Sequence, residues 1–82
     1  MILHAVSVYD RVTETYARPF FVAHPGSAVR SFHDECNNPE SEVSKHTADY
    51  DLFFMFTFDD ATGEVDATHA RRLLRGSDIQ KA

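Results

Sequence analysis

Five histidines, one cysteine and thirteen carboxylates give this 82-residue chain many groups able to hold a metal or move a proton. Only His33 and Cys36 stand at ligand-like spacing, three residues apart. A zinc site needs four ligands, usually with a second close pair elsewhere, and the sequence offers no such pair. Cys36 also falls on an apolar stripe with Phe32, where a core thiol belongs, so neither a metal nor another cofactor is expected. Lys45, His46 and Asp49 could supply a base and a carboxylate, but catalysis also needs a nucleophile and an orienting group held in place. Asp59 and Asp60 could bind Mg²⁺, yet adjacent carboxylates at a strand end are ordinarily solvated turn residues. There is no glycine-rich phosphate loop and no nucleophile motif. The chain is therefore expected to bind rather than to catalyse.

What remains is the chemistry of arginines and rings. Arg18, Arg30 and the run Arg71-Arg72-Leu73-Leu74-Arg75 could contact phosphates, while Tyr9, Phe20, Phe21 and Phe53 lie on strand-like stretches. Single-strand binders combine these two elements, a basic groove and aromatic faces on a sheet. The charge opposes that reading. The net charge is −5, and residues 34–66 hold ten of the thirteen acids against Lys45 alone. Such a block disfavours long-range attraction of nucleic acid, although the basic run near the end could still act locally. On composition alone, core phenylalanines and solvated arginines are the simpler account.

The elements that must position these groups follow from periodicity. Residues 2–9 alternate, with Val6 and Val8 on one face and Ser7 and Tyr9 on the other, which predicts a strand. Residues 10–16 suit a loop, and 18–24 a second strand with Pro19 near its start. After His24-Pro25-Gly26, Ser27 can cap a helix whose stripe is Val29, Phe32 and Cys36, ending near Asn37 before Asn38-Pro39. Residues 38–49 read as a surface loop. Asp51–Asp59 is the clearest strand, with Leu52, Phe54, Phe56 and Phe58 on one face and Phe53, Met55 and Thr57 on the other. Both faces are apolar, so the strand needs cover on two sides. Asp60-Ala61-Thr62-Gly63 is a turn, and 64–68 the return strand. Residues 70–76 fit a short helix or an extended chain equally, and 77–82 read as a flexible tail.

The fold expected is one α+β domain over residues 1–82, with an antiparallel sheet of about four strands in ββαββ order and one helix on one face. A core this small is marginal alone, and a single cysteine allows no internal disulfide. The lone thiol and the absence of a signal-like N-terminus fit a reducing cytoplasm. The longest apolar run, Leu52–Phe56, is far short of the roughly 20 residues that span a bilayer, so no membrane role is expected. With one sheet face uncovered, Phe53 and Met55 form a candidate interface, which a symmetric homodimer would cover.

Several strings act together: Ser7-Val8-Tyr9-Asp10, Pro19-Phe20-Phe21, Ala28-x-Arg30-x-Phe32-x-Asp34-x-x-Asn37, His46-x-x-Asp49-Tyr50-x-Leu52-Phe53, and Phe58-Asp59 with Thr62-Gly63. In order and spacing they resemble the small non-structural, fifth open-reading-frame protein of gokushovirus-type microviruses, phages with circular single-stranded DNA. The resemblance implies an accessory protein of the infected bacterium's cytoplasm, acting where genome replication gives way to packaging. It implies binding of single-stranded DNA, or of a phage replication or procapsid protein, with Arg30 a candidate functional residue and Tyr50 and Phe53 structural ones. Phe56 stands where the family often has glycine, which predicts a regular strand in place of a kink. The expectation is thus a DNA-binding accessory protein using Arg18, Arg30, Arg71, Arg72 and Arg75. The alternative is a homodimeric protein–protein module without DNA contact.

Overall fold

A computed structural model describes residues 1–80 and shows a compact α+β domain. The long strands β1 (Ile2–Asp10) and β4 (Tyr50–Asp59) pair antiparallel at the centre of one sheet. Outside β1 lie β2 (Thr15–Tyr16) and β3 (Phe20–Val22); outside β4 lie β5 (Val65–Asp66) and β6 (Arg71–Arg75). The sheet is therefore four lanes wide but has six strands, and the expected ββαββ order becomes three strands, helical segments, then three strands. The two outer lanes are each broken. One is interrupted at residues 17–19, where Pro19 has no N–H to give to a ladder. The other is interrupted by the turn at 67–70, in which Ala70 N–H bonds to Ala67 O. Residues 70–76, open between helix and strand from sequence, supply β6.

The main helix, α1 (Pro25–Cys36), covers one face of the sheet. Its cap is His24 and not Ser27: the His24 Nδ1 accepts the Gly26 N–H at 2.9 Å. The cap shifts because Pro25 fits the first helical position, where a missing N–H costs nothing. Ala28, Phe32 and Cys36 form its buried stripe and meet Val6, Leu52 and Phe54 from the sheet. Burying each large side chain contributes about 1.5–3 kcal/mol. Residues 38–49 hold a helical turn, α2 (Glu42–Lys45), and a 3-10 turn, Thr47–Asp49. Ser41 caps α2 through Val43 N–H, and Val43 packs against the core. Of the segment read as a tail, residues 77 and 78 belong to a 3-10 turn, Gly76–Asp78, and Ile79 packs on the core, while residues 81 and 82 lie outside the described residues.

The expected regularity of β4 is overturned. Val6 pairs with Phe54 and Ala5 with Phe56, so Met55 has no opposite residue on β1 and forms a β-bulge. A second bulge lies in β6, where Leu52 pairs with Leu74 but Phe53 with Arg72, leaving Leu73 over. A bulge shifts the alternation of every residue beyond it.

Candidate functional site

The sheet face away from α1 carries the feature that the bulges create. Leu52 and Phe54 sit in the core beneath α1, and Phe53 therefore points to the other side. Strict alternation would return Phe56 and Phe58 to the helix side. The Met55 bulge instead places Phe56 opposite Ala5 and Phe58 opposite Leu3, on the face that Phe53 shares with Ser7. Phe54 and Phe56, read from sequence as one face, lie on opposite faces.

Six rings collect there in two clusters. Tyr9, Tyr16 and Phe53 form the first: Tyr9–Tyr16 centroids are 4.5 Å apart, and Phe53 stands edge-on to Tyr9 at 5.9 Å and to Tyr16 at 5.5 Å. Phe21, Phe56 and Phe58 form the second, with Phe21 6.0 Å from Phe56 and 6.2 Å from Phe58. Such separations and tilts suit rings whose edges meet neighbouring faces. Between them Ala5 and Ser7 are fully buried. Ser7 Oγ also donates to Ala17 O at 2.6 Å. The rings are thus the outer layer of this face, and Tyr16 and Phe21 remain 50% and 51% exposed.

The second bulge sets the charge. Residues paired across an antiparallel ladder share a face. Arg72 pairs with Phe53 and Arg75 with Asp51, so both belong to the aromatic face, whereas Arg71 pairs with Phe54 on the helix side. There the Arg71 guanidinium stands 5.2 Å from the Phe54 ring centroid. Asp51, which the sequence did not single out, is buried beside them. Its carboxylate accepts the Gly76 N–H at 3.3 Å and lies 4.0 Å from both Arg11 Nε and Arg72 Nη1. Arg11 also donates to Ala48 O, tying the end of β1 to the 3-10 turn. Spacing gave no sign of this knot, because Arg11, Asp51 and Arg72 are far apart in sequence.

The structure does not bring all five candidate arginines together. Arg72 and Arg75 share the aromatic face with Phe53; Arg18 is exposed in the connector between β2 and β3, on the opposite edge of the sheet. Arg30 is exposed on α1, in the layer on the other side. Of the proposed stacking rings, Phe20 pairs with Val6 on the helix side, where it lines an apolar cavity of about 170 Å³ with Phe32, Val43 and Leu52. Of the proposed interface residues, Phe53 is in the first ring cluster and Met55 is the bulge.

Acids gather elsewhere. Asp59, Glu64 and Asp66 line a hollow with Ile2 and Thr57 at the β4–β5 end, on the helix side of the sheet. The Asp66 carboxyl is held below its ordinary pKa, first by the Thr68 hydroxyl and then by the Thr68 N–H. Asp10, Val12, His46, Asp49 and Tyr50 line another hollow. In it the Tyr50 phenol is pushed up by burial first and then by the charges of Asp10, Glu42 and Asp49. His46 and Asp49 do converge, but Asp10 Oδ1 already accepts the N–H groups of Val12 and Thr13, and no serine, threonine or cysteine lines the hollow. His33 is exposed while Cys36 is buried in the core, so the pair with ligand-like spacing faces apart. No helix among the described residues is long and apolar enough to cross a membrane.

No curated protein and no solved structure matches the chain. A family model described as Phage ORF5 protein matches residues 3–79. That match runs through every strand and helix described above, and the chain belongs to the phage ORF5 protein family.

Proposed function

We propose that this phage protein is a non-catalytic accessory protein of a microvirus, binding single-stranded DNA on the helix-free face of its sheet. The observation that carries the reading is the assembly of six rings on one uncovered face with Arg72 and Arg75 beside them. Bases stack on exposed rings regardless of sequence, and flanking guanidiniums take phosphates. An accessory role in the infected cell's cytoplasm, between genome replication and packaging, fits a small binder of single strands. Arg18 lies on the opposite edge of the sheet from Arg72 and Arg75 and is not assigned to this site. Arg30 and Arg71 do not share this face and are not assigned to it.

The test is fluorescence anisotropy of a labelled oligothymidylate of about twelve nucleotides, within the range that one such fold covers. Saturable binding at low salt that weakens as salt rises is the expected result. A folded sample that fails to bind at low salt would sink the reading. A second reading, a homodimer or a contact with a phage replication or procapsid protein through the same face, is favoured by the exposure of Tyr16 and Phe21. Under it, light scattering gives a dimer and the oligonucleotide does not compete.

A further inference from the structure

We infer that the aromatic face takes an unpaired strand by two neighbouring bases, one on each ring cluster. The phosphates lie on Arg72 and Arg75; this rests on the single-strand reading above. Phe53 lies opposite Ser7 and Phe56 opposite Ala5. Those positions are two residues apart on β1, or about 6.8 Å at the rise of a strand. Stacked nucleic acid advances about 3.4 Å per nucleotide along one strand. Two bases that reach both clusters must therefore be drawn to about twice their stacked spacing. An unpaired strand can do this, whereas a duplex would have to lose pairing and stacking.

Charge orders the strand along the face. Arg72 and Arg75 are both level with the first cluster, Arg72 with Phe53 and Arg75 with Asp51 and Tyr9. At the other end Asp59 pairs with Ile2, and Thr57 with His4 and Asp66, so the acidic hollow opens on the helix side and does not line this path. The site is thus short, with two cationic contacts at one end. A single strand held by two phosphate contacts loses affinity with a log–log salt slope of about −1.4.

The experiment compares labelled oligothymidylates of about four and about twelve nucleotides over a salt series, using the full chain. The expected result is that the short strand binds within severalfold of the long one, with a slope near −1.4 for both. Phe53→Leu and Phe56→Leu keep apolar volume but remove a ring face, and each is expected to weaken binding at least fivefold. Should a leucine variant fail to fold, amide shifts on the wild-type protein decide: they are expected on β1, β4 and β6. Loss of binding by the short strand alone, a slope of about −3 or steeper, or shifts centred on α1 would overturn the two-base site and leave the parent reading standing. No binding by the long strand removes the parent reading and this inference with it. A dimer that the oligonucleotide fails to dissociate does the same.

Discussion

At Gly76 the chain comes as close to another segment as backbone permits. A Cβ there would fall inside the carbonyl oxygens of Thr47 and Tyr50, which are main-chain atoms and cannot swing aside. The close approach lets the Gly76 N–H reach Asp51, and so holds the carboxylate between Arg11 and Arg72. Gly76→Ala is therefore expected to destabilise the protein by about 3 kcal/mol or more, the upper range for forcing extra volume into a packed site. Urea unfolding should show a lower midpoint, and the same variant should disturb Arg72. Asp66 offers a gentler test. Its carboxyl pKa is lowered by the Thr68 hydroxyl and N–H, so the folded state favours the ionised form. A depressed pKa contributes stability above the ordinary carboxylate range, and that stability is lost as pH falls through the folded value. Thr68→Val removes the larger cause, and an NMR titration should find the Asp66 pKa moved back up while other carboxyls stay put.

Elements explain which parts were readable from sequence. The alternation of Val6 and Val8 against Ser7 and Tyr9, and the stripe through Phe32 and Cys36, stand out because polar residues separate the apolar ones. In β4 nothing marks the slip. Leu52 to Phe58 is apolar at every position except Thr57, so a one-residue bulge leaves the written pattern unchanged while reversing the side that Phe56 and Phe58 face. The glycine expected at position 56 was linked to a kink, and the kink is present with phenylalanine there; register, not a glycine, makes it. Arg71-Arg72-Leu73-Leu74-Arg75 was ambiguous for a related reason. With Leu73 bulged, Arg72 and Arg75 face one way and Arg71 and Leu74 the other, which matches neither simple strand alternation nor a helix. The claim that register builds the site predicts a contrast. Met55→Ala keeps the bulge and should cost about 2–3 kcal/mol or less, since Met55 is only partly buried and large-to-small changes in full cores cost about 2–5. Inserting one alanine between Ala5 and Val6 gives Met55 a partner and should turn Phe56 and Phe58 toward α1, and circular dichroism melts should show loss of the cooperative transition. An insertion variant that melts like the Met55→Ala variant would mean that the bulge does not set the faces.

Across the whole molecule the charges act against the face that the rings prepare. A protein with a net charge of −5 repels nucleic acid at a distance, so any strand must be captured by contacts made close to Arg72 and Arg75. The hairpin acids Asp60 and Glu64 are exposed at the β4–β5 turn, at the Phe58 end of the strand. Their effect is therefore screened by salt, unlike stacking on Phe53 or Phe56. The Debye length falls from about 10 Å at 0.1 M salt to about 3 Å at 1 M, so distant carboxylates fade first. Asp60→Asn with Glu64→Gln should accordingly tighten oligothymidylate binding severalfold at 20 mM salt, mostly through faster association, and change it little at 0.5 M. Replacing Arg72 should weaken binding at both. Stopped-flow fluorescence at the two salt concentrations separates these cases. If neutralising the hairpin acids leaves the low-salt association rate unchanged, the strand does not approach from the Phe58 end of this face, and the charge asymmetry would then have to serve a protein partner instead.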